Sequence, residues 1–343
     1  MANKAFLYDR SAGEAAVVSF NKAGRVSQDT TNKGWRKTWD VILSGRFTGR
    51  SSLLLYDRKA GEAAIVAFDK QGKLNLDYTN EGWRKSWDTL VAGDFRGNNR
   101  TEALLYDRKA GEAAIVGFNK SGKLNVDHTN KGWRKSWETI VSGRFIGNDK
   151  HQALLYDRKN GEAAIVGFDK DGKVNLDRTN KGWRKSWDII VVGEFLGNGK
   201  DQVLLYDRKA GEGAIVGFDK SGKLNLDQTN SGWRKTWNMI VAGDFSGGSK
   251  SEVLLYDRKA GEADIVAFNK QGKVNLDTTN SGWRKSWERM VVGDFANGGK
   301  HEVLLYDPNA GEADIVSFDD TGRVEIDTTN SGWRKSWTII LAI

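Results

Sequence analysis

A Tyr-Asp pair recurs seven times along this chain, at Tyr8, Tyr56, Tyr106, Tyr156, Tyr206, Tyr256 and Tyr306, with intervals of 48, 50, 50, 50, 50 and 50 residues. A second marker, Gly-Trp-Arg-Lys-(Ser/Thr)-Trp, begins at Gly34, Gly82, Gly132, Gly182, Gly232, Gly282 and Gly332. Periods of this size belong to propeller blades or to paired helices. Local pattern separates the two. In the unit from Trp187 to Thr229, three short apolar runs (Trp187–Phe195, Gln202–Asp207, Gly213–Phe218) precede an alternating stretch, Lys223-Leu-Asn-Leu-Asp-Gln-Thr229. Turn signals separate them: Gly197-Asn-Gly-Lys200, Lys209-Ala-Gly211, Asp219-Lys-Ser-Gly222 and Asn230-Ser-Gly232. No segment has the length or the 3.6-residue period of an amphipathic helix. Four short strands in each of seven units predict an all-β, seven-bladed β-propeller with four antiparallel strands per blade.

The phase of the repeat predicts how the ring closes. The sequence enters within a second strand (Lys4 to Asp9) and ends after a first strand (Trp337 to Ile343). The last strand is therefore expected to be the inner strand of the first blade, a one-plus-three closure that removes free edges. The expected organisation is one domain over 1–343. Blade 1 takes 337–343 plus 1–33, blade 2 34–81, blade 3 82–131, blade 4 132–181, blade 5 182–231, blade 6 232–281 and blade 7 282–336. The run opening at the second Trp is expected to be innermost. The Lys-Leu-Asn-Leu-Asp type is expected outermost, its charges protecting the edge.

Composition removes several functions. Without Cys there is no disulfide framework, thiolate metal site or thiol catalysis. No apolar run approaches the roughly 20 residues of a membrane helix. The first residues show no apolar signal-peptide core, so cytoplasmic accumulation or leaderless release is the expectation. His128, His151 and His301 are read as surface substitutions rather than as ligands or bases.

The segment Gly-Asp-Phe-x-Gly-x-x-Lys-x-Glu-x-Leu-Leu-Tyr-Asp resembles the FG-GAP class of propeller repeat. With Gly-Trp-Arg-Lys-Ser-Trp added, the chain most resembles seven-bladed bacterial lectins of the Photorhabdus-lectin type, over its whole length. The resemblance implies a non-enzymatic, multivalent glycan binder with pockets between neighbouring blades, and fucose or O-methylated sugars as ligands. FG-GAP loops often hold calcium, which needs six to eight oxygens. Here the matching positions read Asp94, Arg96, Asn98, Arg100, Glu102, and Glu194, Leu196, Asn198, Lys200, Gln202. An essential ligand is usually missing, so neither calcium nor another cofactor is expected.

In an up-and-down blade the loops between strands 2 and 3 and between strand 4 and the next strand 1 share one face. They carry nearly all the repeat-invariant polar and aromatic residues. The first Trp of each marker (Trp35, Trp83, Trp133, Trp183, Trp233, Trp283, Trp333) can offer a ring face to the C–H groups of a pyranose. Hydroxyls beside it need directed partners. The candidates are the adjacent Arg36, Arg84, Arg134, Arg184, Arg234, Arg284 and Arg334, the Asn of Thr-Asn (Asn80, Asn130, Asn180, Asn230), the hairpin Glu62, Glu112, Glu162 and Glu212, and Asp57. Each has a structural alternative: the Trp as inter-blade packing, the Asn as a turn device, the Arg stacked on Trp. The second Trp (Trp87, Trp137 and equivalents) is read as core. The Tyr-Asp pair is read as structural, with Tyr ending a buried strand and Asp closing the hairpin, and Gly61 as the φ > 0 hairpin residue.

Two other readings compete. The net charge of +8 and the Trp-Arg-Lys ring fit a binder of anionic polymers, nucleic acid or sulfated glycan. Against it stand the Asp and Glu on the same face, so glycoconjugates rather than nucleic acid are the expected partners. The near-identity of the repeats also fits a duplicated or designed scaffold with no ligand. Oligomeric state is left open.

Overall fold

In a computed structural model the described residues are 4–147 and 149–343. The chain is a seven-bladed β-propeller. Among the described residues there are seven four-stranded antiparallel sheets, six of them built from consecutive strands. The seventh joins Ile339–Ala342 to Lys4–Asp9, with Phe6 opposite Leu341 and Leu7 opposite Ile340, and continues through Glu14–Phe20 to Val26–Lys33. The expected closure by a C-terminal inner strand is thus present. Residues 1–3, assigned above to blade 1, lie outside the described residues.

Two compact units make up the chain. Residues 36–186 and 217–225 form one, in which the first strands Val41–Gly45, Thr89–Gly93 and Thr139–Gly143 lie side by side. The other contains residues 4–35, 187–216 and 226–343, and its first strands Ile189–Gly193, Met239–Gly243, Arg289–Gly293 and Ile339–Ala342 adjoin in the same way.

Burial follows sequence pattern strand by strand. Second strands such as Glu102–Asp107 are buried at every position, because both faces meet another blade. Fourth strands such as Val274–Ser281 alternate half-buried with exposed residues, as a period of two requires. The first strand differs from the sequence expectation. It begins two residues after the second Trp, so Trp39, Trp87, Trp137, Trp187, Trp237, Trp287 and Trp337 sit in the approach to the strand, buried there at 2–8% exposure.

Consecutive blades are joined by the same few contacts. Within each unit, Tyr hydroxyls at the ends of second strands donate to a carbonyl in the loop leading into the next blade: Tyr106 to Arg134, Tyr206 to Arg234, Tyr306 to Arg334. A second link uses the turn between strands 3 and 4. Gly122 has φ of 82° and lies so close to the preceding blade that a Cβ there would stand 3.1 Å from Cβ atoms of Ile65 and Tyr78. Only glycine meets both conditions. A third link pairs Phe rings edge to face, as in Phe95 with Phe168 at 5.6 Å and Phe245 with Phe318 at 5.7 Å.

Candidate functional site

The hairpin between strands 2 and 3 is a structural device. Gly61 has φ of 74°, and its carbonyl accepts the Trp83 N–H at 2.9 Å, which docks the hairpin on the loop leading to the next blade. Asp257 is buried and accepts the Thr236 hydroxyl and the N–H groups of Lys259 and Ala260. Burial opposes its ionisation, but those donors outweigh it and hold the carboxyl below the usual aspartate range. Asp107 and Asp307 take the same kinds of donor, from Ser86 and Ser286 and from Ala110 and Ala310.

Of the expected sugar ligands, the Arg and Glu residues face each other. Arg36 pairs with Glu62, Arg84 with Glu112, Arg134 with Glu162, Arg234 with Glu262, Arg284 with Glu312 and Arg334 with Glu14. Each of these guanidiniums also lies 5.1–5.4 Å over the ring of the second Trp three residues on. The stacking alternative weighed for Arg is therefore real, although the ring is the buried Trp rather than the loop Trp. Arg184 and Glu212 hold the matching sequence positions. Each Arg–Glu pair remains half-exposed, so it keeps capacity for a further partner.

The Asn of Thr-Asn has a different task. Asn80 donates from its amide to the Gly122 carbonyl at 3.0 Å and accepts the Leu124 N–H at 2.8 Å. Asn130 does the same with Gly172 and Val174, Asn180 with Gly222 and Leu224, and Asn230 with Gly272 and Val274. Both ends of these amides clamp the turn of the following blade, and Asn230 at the same time lines a cleft between blades. Asn180→Ala leaves a buried N–H and carbonyl without partners and should cost about 1–3 kcal/mol in urea unfolding. A change under about 0.5 kcal/mol would contradict the clamp.

The loop Trp combines packing with exposure. Trp83 and Trp183 are buried, at 9% and 8% exposure, and the described remainder of the set is half-buried. One face stacks on the next Phe: Trp83 on Phe118, Trp283 on Phe318, Trp333 on Phe20, at 6.3–6.5 Å. The Tyr ring lies tilted beside it, as Tyr206 does beside Trp233 at 6.1 Å. What remains of the indole borders an open cleft between two blades.

Two such clefts are well formed, both in the unit containing the chain ends. One has a volume of about 840 Å³ and is bordered by Trp333, Arg334, Asp29, Thr31, Asp327 and Thr329. The other is about 590 Å³, with Trp233, Arg234, Asp277 and Thr279 in the places of Trp333, Arg334, Asp29 and Thr31, and Asp264 in addition. Sequence reasoning missed the outer-strand Asp and Thr. Asp277 and Thr279 lie opposite Val266 and Asp264 in the ladder and point to the same side. Burial raises the carboxyls of Asp29, Asp277 and their equivalent Asp77, and the charges of Arg334, Arg234 and Arg36 respectively offset part of that rise. The missed signal was the alternation itself, which was read only as edge protection.

On the loops that calcium would occupy, carboxylates bind backbone instead. Asp94 accepts the N–H groups of Asn98 and Asn99, and Glu102 accepts from Arg96 and the Asn98 amide. Among the described residues no group of three or more His, Cys, Asp or Glu is arranged to hold a metal ion. In the corresponding loop of blade 4, Asn148 lies outside the described residues.

No protein-family model matches the chain, and no curated protein matches it in sequence. Solved structures do resemble it. A lectin from Agrocybe aegerita that recognises non-reducing terminal N-acetylglucosamine matches with a TM-score of 0.71 at 14% identity, over 98% of this chain and 94% of that one. A putative 6-phosphogluconolactonase from Bacteroides fragilis matches at 0.65 and 12%, over 98% and 96%. The periplasmic gluconolactonase of Pseudomonas aeruginosa matches at 0.64 and 12%, over 98% of each chain. Identities this low make these likenesses of fold, the fold of a β-propeller.

Proposed function

We propose that this protein is a multivalent carbohydrate-binding protein without enzymatic activity, which holds sugars in the clefts between consecutive blades. The observation that carries the reading is the cleft at Trp333. Its volume of about 840 Å³ lies within the roughly 300–1,000 Å³ of ligand pockets. An indole edge, a guanidinium, the Asp29 and Asp327 carboxylates and several hydroxyls border it, and the cleft at Trp233 has an indole, a guanidinium, two carboxylates and hydroxyls of its own. A ring of C–H groups and hydroxyls suits such a lining. The Arg supplies donors and the outer-strand Asp supplies acceptors.

The hairpin carboxylates are committed to Ser, Thr, Arg and backbone donors, which supports a structural rather than an acid–base role for them. The shared fold with a lectin for terminal N-acetylglucosamine supports a glycan ligand. So does the resemblance to Photorhabdus-type lectins, which adds fucose and O-methylated sugars to the ligands to be tried. The pairing of Arg36, Arg84, Arg134, Arg234, Arg284 and Arg334 with Glu weakens the anionic-polymer reading, because the paired charge is already neutralised.

The test is a glycan array at two salt concentrations, followed by calorimetry on the best ligand. Binding should change little with salt, and soluble monosaccharide should compete. Changing the outer-strand Asp to Asn at Asp29, Asp77 and Asp277 should weaken those sites about tenfold or more, since hydrogen bonds to charged groups contribute about 1.5–3 kcal/mol. Unchanged affinity in the folded variant would remove the clefts as sites.

A further inference from the structure

The seven blades differ at one buried position. Five carry Ala there (Ala16, Ala64, Ala114, Ala164, Ala214), whereas blades 6 and 7 carry Asp264 and Asp314. The position lies on the third strand, opposite the outer-strand Thr279 or Thr329. The side chains remain almost fully buried, at 7% and 6% exposure. Asp264 lines the cleft bordered by Trp233. Each carboxylate interacts with its Thr hydroxyl, yet Oδ1 of each has no hydrogen-bond partner.

An ionised, unpartnered carboxylate in a buried position is destabilising unless a donor reaches it. The groups around Asp264 do not supply one. Asp277 adds a second negative charge, and Glu262 a third. Arg234 is near, but its guanidinium is held by Glu262 and stacked on Trp237. Lys273 borders the cleft as well, on an exposed residue at its rim. Around Asp314 the matching groups are Asp327, Glu312 and Arg284, with Arg284 held by Glu312.

We propose that the cleft containing Asp264, and the matching place beside Asp314 in blade 7, bind a sugar bearing a protonated primary amine, whereas the places with Ala at this position bind neutral sugars. An ammonium offers three donors and no acceptor. In the Asp264 cleft it would lie among the Asp264 and Asp277 carboxylates and the Thr279 hydroxyl oxygen. Charge-assisted bonds of this kind are about twice as strong as neutral ones. A lone hydroxyl would satisfy Oδ1 without offsetting the charge. Calcium would need more oxygens than these residues offer.

This inference rests on the clefts being sugar sites. The test uses the intact protein with methyl glucosaminide, free amine against N-acetylated, in calorimetry at neutral pH. Two equivalents of the free amine should bind, and the N-acetyl form should bind these two places at least tenfold more weakly. Asp264→Ala should reduce the amine stoichiometry from two to one, and Asp264→Ala with Asp314→Ala should abolish it. Alanine stands at this position in the other five blades, so the variants preserve the local packing. Equal amine binding by the double variant, or none by the parent protein, overturns the inference. Neutral glycans still captured on the array would then leave the lectin reading intact. Loss of neutral as well as cationic binding would overturn both.

Discussion

Trp287→Ala is expected to destabilise the protein by about 3–5 kcal/mol, the range for removing a large aromatic side chain from a packed interior. The indole is 2% exposed and packs with Phe245, Leu254, Tyr256, Leu305 and Phe318. Its upper face carries the Arg284 guanidinium at 5.2 Å, and its carbonyl accepts from Arg258 of the preceding blade's hairpin. Truncation therefore opens a cavity and leaves Arg284 without its ring. Trp283→Ala should cost less, because that ring is only half-buried and keeps an edge on solvent. Urea unfolding of the two variants side by side measures the difference. Equal losses, or a loss under about 1 kcal/mol at Trp287, would show that the two Trp sets do not divide as packing and cleft.

Asp314→Ala should do the reverse and stabilise the protein above neutral pH. Burial pushes the Asp314 carboxyl up to about 6 from the ordinary 3.8, with Asp327 and Glu312 adding to the rise and Thr329 and Arg284 opposing it. The folded state thus holds its proton more tightly than the unfolded chain. Its contribution favours folding below about pH 4. The benefit is lost as pH rises through about 6, where the folded protein must carry a buried charge. At 1.36 kcal/mol per unit, the variant should gain at most about 3 kcal/mol at pH 8 and almost nothing at pH 4. Thermal unfolding across that range reads it out. A gain that is independent of pH would show that the carboxylate is not the source. Saturation of the parent with an ammonium sugar should close much of the gap at pH 8, since a ligand that binds only the native state stabilises it.

The fold was legible because repetition and alternation report the same thing. Seven copies of Leu-Tyr-Asp fix the second strand, and the place of the first and last copies fixes the closure through Ile339–Ala342. The start of the first strand was misplaced because Trp187 is apolar and adjoins an apolar run. Only the backbone shows that it lies before the strand. The site was half legible. Trp233, Arg234 and Asn230 do border a cleft, but the Asn230 amide is also engaged by the turn of the following blade. An Asn amide in a turn can serve turn, ligand or neighbouring blade, and sequence gives no means of choosing among a partner 42 residues on and a partner nearby. Asp277 and Thr279 were missed for a related reason. Alternation says which residues share a side, but which side meets another blade depends on how the sheets pack. The change from Ala-Ala-Ile to Ala-Asp-Ile at Asp264 was visible in the sequence, and its meaning came only with burial.

The turn around Gly122 has a consequence for assembly. One side of each blade offers a socket, made by Ile65, Tyr78 and the Asn80 amide in the second blade, and the other side offers the turn that fills the next socket. The contact is head-to-tail, with two different surfaces, and such a contact adds subunits until geometry closes the circle. A fragment of two or three repeats would expose one empty socket and one unplaced turn. It is therefore complementary to its own copies. Blade number in such a protein is a property of the angle between neighbours, and a single chain of seven is one of several ways to supply the parts.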